Sequence, residues 1–323
     1  MTTDAERWDA DLEERGSPAS LLQSWAWGDV QARAGWRIER VRLAHDGMAS
    51  VQIRSVGPAR EAYVPRGPVP STAEALDLLA GWARDAKMAR LTVEPDAPFA
   101  FADALKEQGF TQAKATQPQH TRILKLAPPD ELLQTFRPGR RYNIRAGLRR
   151  GVVVEEGADA AELERQSAAV ERRESIHLPD RRYYEQLLTK LPWCRTYTAY
   201  APEKREPLAT VLVARFGGRA YCLFAGRTGA HKELMGNDLA WWFAIRGAAE
   251  AGCTDFDLWG VPPPRALPDH AWHGIGVFKS EFGGEVVSYA GAWELVLSPG
   301  AARLVDLERK TRAYIRGLKR NIP

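Results

Sequence analysis

The stretch LATVLVARFGGRAYCLFAGRTGAHKELMGNDLAWWFAIRGAAEAGCTDFDLW, Leu208 to Trp259, decides the fold. It opens with two strand-like runs, Leu208 to Phe216 and Arg219 to Ala225. They meet at Gly217-Gly218, a pair that accepts the positive φ angles of a tight turn. Asn237 to Ala251 reads as a helix and Asp255 to Trp259 as a strand, so the order is β-β-α-β.

About 160 residues earlier the same order occurs. Arg37 to Leu43 and Ala49 to Ser55 form strands around His45-Asp46-Gly47, and a third short run, Ala62 to Pro65, ends in RGPVP. Thr72 to Lys87 then places Ala75, Leu78, Leu79 and Trp82 at spacings of three and four, a helical pattern, and Leu91 to Glu94 is the next strand. Leu22 to Ala34 precedes them as a helix with Trp25, Trp27 and Val30 on an apolar side. EAYVPRGP echoes RAYCLFAGR, and ARLTVEPD echoes TDFDLWGV. Mixed domains share this order by chance as well, but the ordered echoes favour an internal duplication into two α/β domains of one fold.

Between the halves, Asp130 to Arg150 is expected to be helical around an interruption at Pro138-Gly139, with a strand at Val152 to Glu155. Helices are expected at Ala160 to Ile176, Arg181 to Leu191 and, basic and amphipathic, Ala302 to Lys319. The expected division is a first domain over 1–150 (its boundary within 127–155), a second over 151–297, and a basic C-terminal helix over 298–323 packing back on the first.

The length of 323 residues suits two domains or one large one, and 45% hydrophobic with 27% charged residues argues against disordered, collagen-like and coiled-coil classes. Three scattered cysteines, Cys194, Cys222 and Cys253, suggest neither a disulfide framework nor a zinc site, and point to a reducing compartment. An acidic N-terminus and the lack of any apolar run near 18 residues make a cytoplasmic protein without a membrane span the expectation.

A net charge of +4 conceals a cluster: Arg137, Arg140, Arg141, Arg145, Arg149 and Arg150 share one stretch without an acid. Arg137, Arg141, Arg145 and Arg149 recur every four residues, along one face of a helix. A solvated or carboxylate-paired face and a phosphate-binding face are both open readings. The C-terminal stretch adds Arg303, Arg309, Lys310, Arg312, Arg316, Lys319 and Arg320.

P-loop, dinucleotide and nucleophile-elbow motifs are absent. The Arg/Gln-x-x-Gly-x-Gly/Ala loop usual in acyl-CoA-dependent acetyltransferases is also missing; in GRTGA the glycine falls one position early. His270 and His273 make no convincing metal set, so no metal is expected. Lys279, between Phe278 and Phe282 and ahead of Gly283-Gly284, reads either as a surface lysine or as an ammonium at an apolar crevice, fit to stabilise an oxyanion.

LLQSWAWGDVQARAGW, YVPRGPV, RRYNIRAGLRRGVVVEE, MGNDLAWWFAIRGAAEAGCTDFDLWGV and GVFKSEFGGEVVSYAGAWELVL, in order from about Leu21 to Leu297, together resemble the Fem family of tRNA-dependent peptidyltransferases, which attach amino acids to the stem peptide of the peptidoglycan precursor. The resemblance implies two acetyltransferase-like (GNAT-like) α/β domains side by side, without the long helical arm of some members, as in the shorter FemX-like subgroup. It implies attack by a stem-peptide amine on the ester of aminoacyl-tRNA, an activated co-substrate that requires no cofactor. By that resemblance Lys279, in the family's Phe-Lys position, would be the oxyanion stabiliser with Phe278 shaping the site; the sequence shows no obvious dedicated base, and transfer of the proton through the tRNA's ribose hydroxyls is the solution the family suggests. Where the family often has a lysine that meets the precursor's phosphates, this chain has Gln31, leaving Arg33 or Arg66 to supply the charge. Glu94 stands for a carboxylate at a strand end, and Arg181 or Arg182 with Tyr184 for a displaced Arg-Tyr pair. Arg141, Arg145 and Arg149 are the expected tRNA contacts. The implied partners are aminoacyl-tRNA and a UDP-linked or lipid-linked muropeptide, met by a monomer that can work at the inner membrane face. Two other readings stay open: an acyl-CoA-type N-acyltransferase of the same fold, and a catalytically silent RNA- or precursor-binding protein.

Overall fold

The computed structural model describes residues 2–16, 18–174, 178–203 and 205–320. Ile176, the expected end of one helix, and the side chains of Arg312, Arg316, Lys319 and Arg320 lie outside the described residues. In chain order, α1 (Asp4–Arg15) and α2 (Trp25–Arg33) precede β1 (Arg37–Arg42), β2 (Met48–Val56), β3 (Ala59–Pro65), α3 (Ala73–Asp85), β4 (Arg90–Glu94), α4 (Ala102–Glu107) and β5 (Thr111–Gln112). There follow β6 (His120–Lys125), α5 (Pro129–Thr135), α6 (Pro138–Arg149), β7 (Val153–Gly157), α7 (Ala160–Glu174), α8 (Arg181–Lys190), β8 (Cys194–Tyr200), β9 (Pro207–Phe216) and β10 (Arg219–Arg227). The last elements are α9 (Gly236–Glu250), β11 (Asp255–Gly260), α10 (His273–Ser280), β12 (Glu285–Ser288), β13 (Trp293–Val296) and α11 (Pro299–Arg320).

Local chemistry sets many of these boundaries. A reciprocal Thr3–Glu6 capping box starts α1, and the Thr72 hydroxyl caps the Ala75 N–H to start α3. The buried stripe of α3 is Ala75, Leu76, Leu79, Ala80 and Ala83, turned slightly from the expected one, since Leu78 and Trp82 are only half-buried. Pro138 occupies the first turn of α6, where its missing N–H costs nothing, so the interruption in the arginine segment falls at Phe136-Arg137 and not at Pro138-Gly139.

The chain divides into two compact units: Met1–Gly16, Leu22–Gln119 and Tyr289–Pro323, and Ser17–Leu21 with His120–Ser288. In the first unit, the sheet order among the described residues is β1-β2-β3-β4-β13-β5. β1, β2 and β3 are antiparallel neighbours, α3 crosses over, and β4 joins parallel to β3. Val51, Ile53, Val64, Leu76, Leu79, Leu91 and Val93 form the core. Arg90 of β4 reaches both Asp306 of α11, 2.9 Å away, and Glu294 of β13, and Arg309 pairs with Glu61 at 2.6 Å.

In the second unit the order is β12-β6-β11-β10-β9-β8-β7. Again a meander, β8-β9-β10, is followed by a helix, α9, and a parallel strand, β11. Helix α9 is buried on most sides and packs so closely that a Cβ at Gly247 would come within 2.2 Å of the Tyr197 hydroxyl. The sequence echo is a register echo: Glu61-Ala62-Tyr63 pair with Arg90-Leu91-Thr92 as Arg219-Ala220-Tyr221 pair with Asp255-Phe256-Asp257.

Each unit completes its sheet with a strand from elsewhere in the chain. β13 inserts antiparallel between β4 and β5, and β6 inserts antiparallel between β11 and β12. The units therefore differ from the contiguous ranges 1–150 and 151–297: residues 120–150 belong with the second sheet and 289–297 with the first. No helix of the described residues is long and apolar enough to cross a membrane.

Candidate active site

The parallel pairing of β10 with β11 stops at Tyr221↔Asp257. Both strands are irregular at that point: β10 shifts register against β9 between Cys222 and Phe224, and β11 against β6 between Asp257 and Gly260. Such bulges re-aim a strand and end its pairing. The carboxylate of Asp257 fixes the distortion by accepting the Trp259 N–H at 2.8 Å, with Trp259 held at a φ of 65°, and by accepting the Thr121 hydroxyl.

Into this opening α10 brings Lys279. Its side chain is 4% exposed, and Nζ donates to the Gly260 carbonyl at 2.8 Å, 6.0 Å from the centre of the Trp241 ring. Burial brings the ammonium down to about 8, while neighbouring Cys222 and Asp257 oppose that fall. Burial also pushes the Cys222 thiol up to about 12, so at neutral pH a protonated lysine lies beside a neutral thiol. An ammonium has three N–H donors, of which one serves the Gly260 carbonyl.

Arg140, on the inner side of α6, lies beneath α10. Its guanidinium is stacked 4.2 Å from the ring centre of Phe278 and 4.5 Å from that of Phe282. One arm pairs with Asp238 in the first turn of α9, and the other donates to the Phe278 carbonyl at 3.1 Å. Asn143 donates to the same Asp238 oxygen at 2.9 Å. Phe278 also meets Trp241 and Phe282 at ring separations of 5.9 and 5.4 Å. Sequence reasoning passed over Arg140 because the every-four-residue stripe drew attention outward. The signal was there: Arg140, Ile144 and Gly147, spaced four and three, are the buried side of α6.

Elsewhere on α6, Arg141 donates to the carbonyls of Gln134 and Phe136 and so closes the end of α5. Arg145 and Arg149 are exposed without a carboxylate partner among the described residues, and Tyr142 beside them is 59% exposed. On α8, Arg181 pairs with Glu185 at 2.8 Å and Arg182 is exposed. Tyr184 is buried against Phe224 with its hydroxyl bonded to Ser167.

The first unit holds the remaining residues singled out from the sequence. Glu94 and Arg66 lie close enough to interact electrostatically. Glu94 accepts the backbone N–H groups of Thr116 at 2.6 Å and Gln117 at 2.8 Å together with the Tyr63 hydroxyl. Burial pushes its carboxyl above the usual range, opposed by those N–H groups. Arg66 stacks 3.6 Å over the Tyr289 ring and donates to the Pro118 carbonyl. Gln31 is buried, whereas Arg33 is exposed. The three cysteines are free and buried, and no cluster of three or more His, Cys, Asp or Glu among the described residues could hold a metal.

Two sheets of one topology, each a meander, a crossover helix and a parallel strand, define a tandem acetyltransferase-like α/β protein without a long helical arm. A model of the acetyltransferase (GNAT) domain matches residues 134–268. The chain has a Fem-like fold: it superposes on a crystal structure of FemX with a TM-score of 0.81 at 19% identity, covering 94% of this chain and 99% of that one. The C-terminal domain (DUF2156) of a putative lysylphosphatidylglycerol synthetase from Agrobacterium fabrum follows at 0.58 and 15%, covering 95% and 96% of the two chains. A tandem GNAT protein from the clavulanic acid biosynthesis pathway matches at 0.53 and 13%, covering 93% and 98%. No curated protein matches the sequence.

Proposed function

We propose that the protein is an aminoacyltransferase that moves an amino acid from aminoacyl-tRNA to an amino group of a peptidoglycan-precursor stem peptide, building the interpeptide bridge. The observation that carries this reading is the buried Lys279 ammonium at the point where β10 and β11 part. The stem-peptide amine attacks the ester carbonyl, and the carbonyl electrons move onto oxygen. The two uncommitted N–H groups of Lys279 stabilise that oxyanion in a site where low dielectric strengthens them. Collapse forms the amide and releases the ribose oxygen, which takes up the proton the amine gives away. Nothing in this sequence needs a metal or an added cofactor, because the ester is already activated.

The fold shared with FemX supports the substrate class, and the missing pyrophosphate loop argues against acyl-CoA. So does the start of α9, where acidic Asp238 occupies the first turn, tied to Arg140 and Asn143. Exposed Arg145 and Arg149, with exposed Tyr142 on the same helix, suit contact with the tRNA backbone. The reaction is assigned to the cytoplasm, where a UDP-linked and a lipid-linked muropeptide both present their peptides. Arg66 and Glu94 are the acceptor-side candidates, with Arg181 and Arg182 on the other unit.

The test is incubation with a charged tRNA pool and each muropeptide, followed by mass spectrometry. A mass gain of one aminoacyl residue that depends on charged tRNA is expected. Transfer from acyl-CoA alone, or binding without transfer from any donor, overturns the reading.

A further inference from the structure

We propose that Arg140 is a positioning residue for Lys279: it clamps the last turn of α10 to α6 and α9 and so holds the ammonium where the oxyanion forms. The proposal rests on the role given to Lys279 above. Lys279 is anchored at its tip by the Gly260 carbonyl. A tip bond alone leaves the four-carbon stem free to pivot unless its Cα is fixed as well. Arg140 supplies that second point, because its contacts bracket Lys279 in sequence: the carbonyl and ring of Phe278 before it, the ring of Phe282 after it.

The clamp needs arginine. A planar fork donates in two directions, to Asp238 of α9 and to the Phe278 carbonyl of α10, while its faces stack on aromatic rings. A lysine in that place offers a compact ammonium that cannot bridge both acceptors and stack as well. The cation also lies at the C-terminal turn of α10, the end of the helix dipole that favours positive charge. Asn143 shares the load by donating to the same Asp238 oxygen, which keeps that carboxylate oriented toward Arg140. The RRYNIR segment thus faces two ways, Arg140 and Asn143 inward to the chemistry and Arg145 outward to solvent.

The test reads Lys279 directly. Wild type, Arg140→Lys and Asn143→Ala are treated with an amine-acylating reagent across pH 6.5–9.5, and labelling of Lys279 is followed by peptide mass spectrometry against exposed Lys190 in the same digest. Steady-state transfer is measured in parallel. Expected for Arg140→Lys are a limiting Lys279 labelling rate at high pH at least fivefold faster with its pH midpoint moved upward, and kcat at least tenfold lower with KM values within twofold of wild type. Asn143→Ala moves both readouts the same way by a smaller factor and carries the test if Arg140→Lys does not fold. Wild-type labelling, or wild-type kcat, in the folded variant overturns the proposal. If labelling shifts while wild type transfers no aminoacyl group, the clamp stands and the transferase reading falls; an active wild type with unshifted labelling gives the reverse.

Discussion

Replacing Lys279 by methionine is expected to make the protein more stable and far less active. The stability gain follows from the energy of keeping an ammonium in a site that disfavours charge. Burial takes Lys279 from an ordinary 10.5 to about 8, which at ~1.36 kcal/mol per tenfold amounts to roughly 3 kcal/mol against the folded state. Methionine removes that cost but leaves the Gly260 carbonyl without its donor, a loss of about 1–2 kcal/mol. A net gain of about 1–2 kcal/mol at pH 7 remains. Its pH dependence is diagnostic. Below about 8 the lysine is protonated in both folded and unfolded chains, and the full cost applies. Between about 8 and 10.5 the folded chain has released the proton while the unfolded chain keeps it, so wild-type stability rises with pH until it matches or exceeds that of the variant. Urea unfolding followed by tryptophan fluorescence at pH 7 and pH 9.5 measures both. Transfer by the variant should fall roughly 10²–10³-fold, the usual consequence of losing one oxyanion donor. Wild-type transfer should decline above about pH 8 as the ammonium is titrated. Equal stabilities at pH 7, or turnover untouched by the substitution, would refute the argument.

Reversing Arg145 and Arg149 together to glutamate should weaken tRNA binding and reduce the slope of log affinity against log salt by about 1.4–1.8, at roughly 0.7–0.9 per phosphate contact. Arg141→Ala should leave that slope nearly unchanged, since its guanidinium already serves two carbonyls; nitrocellulose filter binding over a salt series checks both. Glu94→Ala deprives the N–H groups of Thr116 and Gln117 of their acceptor and should cost about 2–4 kcal/mol, read as a lower urea midpoint. Gly284→Ala should lower the melting temperature sharply, because Gly284 has a φ of 70° and its added Cβ would lie 2.4 Å from the Ile123 carbonyl oxygen.

The repeated β-β-α-β order was legible because hairpins and amphipathic helices are written locally. The RAY of β10 and the EAY of β3 even occupy the same register. The exchange of β6 and β13 was not, since nothing in HTRILK or WELV records that its neighbours lie more than a hundred residues away. Helix α10 was hidden by Gly274 and Gly276, poor helix formers; Gly276 lies against Pro262, where an added Cβ would come within 2.6 Å. The aromatic flanks of Lys279 left it open between a surface lysine and one at an apolar crevice, and the structure buries it. Its partner Gly260 was not legible, because a backbone carbonyl has no side-chain signature. Tyr184 was a candidate for binding the acceptor, yet a tyrosine inside an amphipathic helix looks the same in sequence whether it meets a substrate or is buried with its hydroxyl on Ser167.

The shared register makes the difference between the two units informative. After Tyr63↔Thr92 the first unit goes on to pair Val64 with Val93 and Pro65 with Glu94; after Tyr221↔Asp257 the second pairs nothing further between the same two strands. The divergence begins one residue past the tyrosine, at Val64 in one unit and Cys222 in the other. The carboxylates there point to different uses. Glu94 ties its strand end to the loop at Thr116-Gln117, whereas Asp257 turns back on Trp259 of its own strand and holds a bulge. A closed pair of strands leaves no room for a carbonyl to approach the sheet between them, and an open pair does. The opening in the second unit is also where a buried ammonium is found, and burying that ammonium destabilises the fold. On the proposed transferase reading, chemistry is the reason the second unit keeps both.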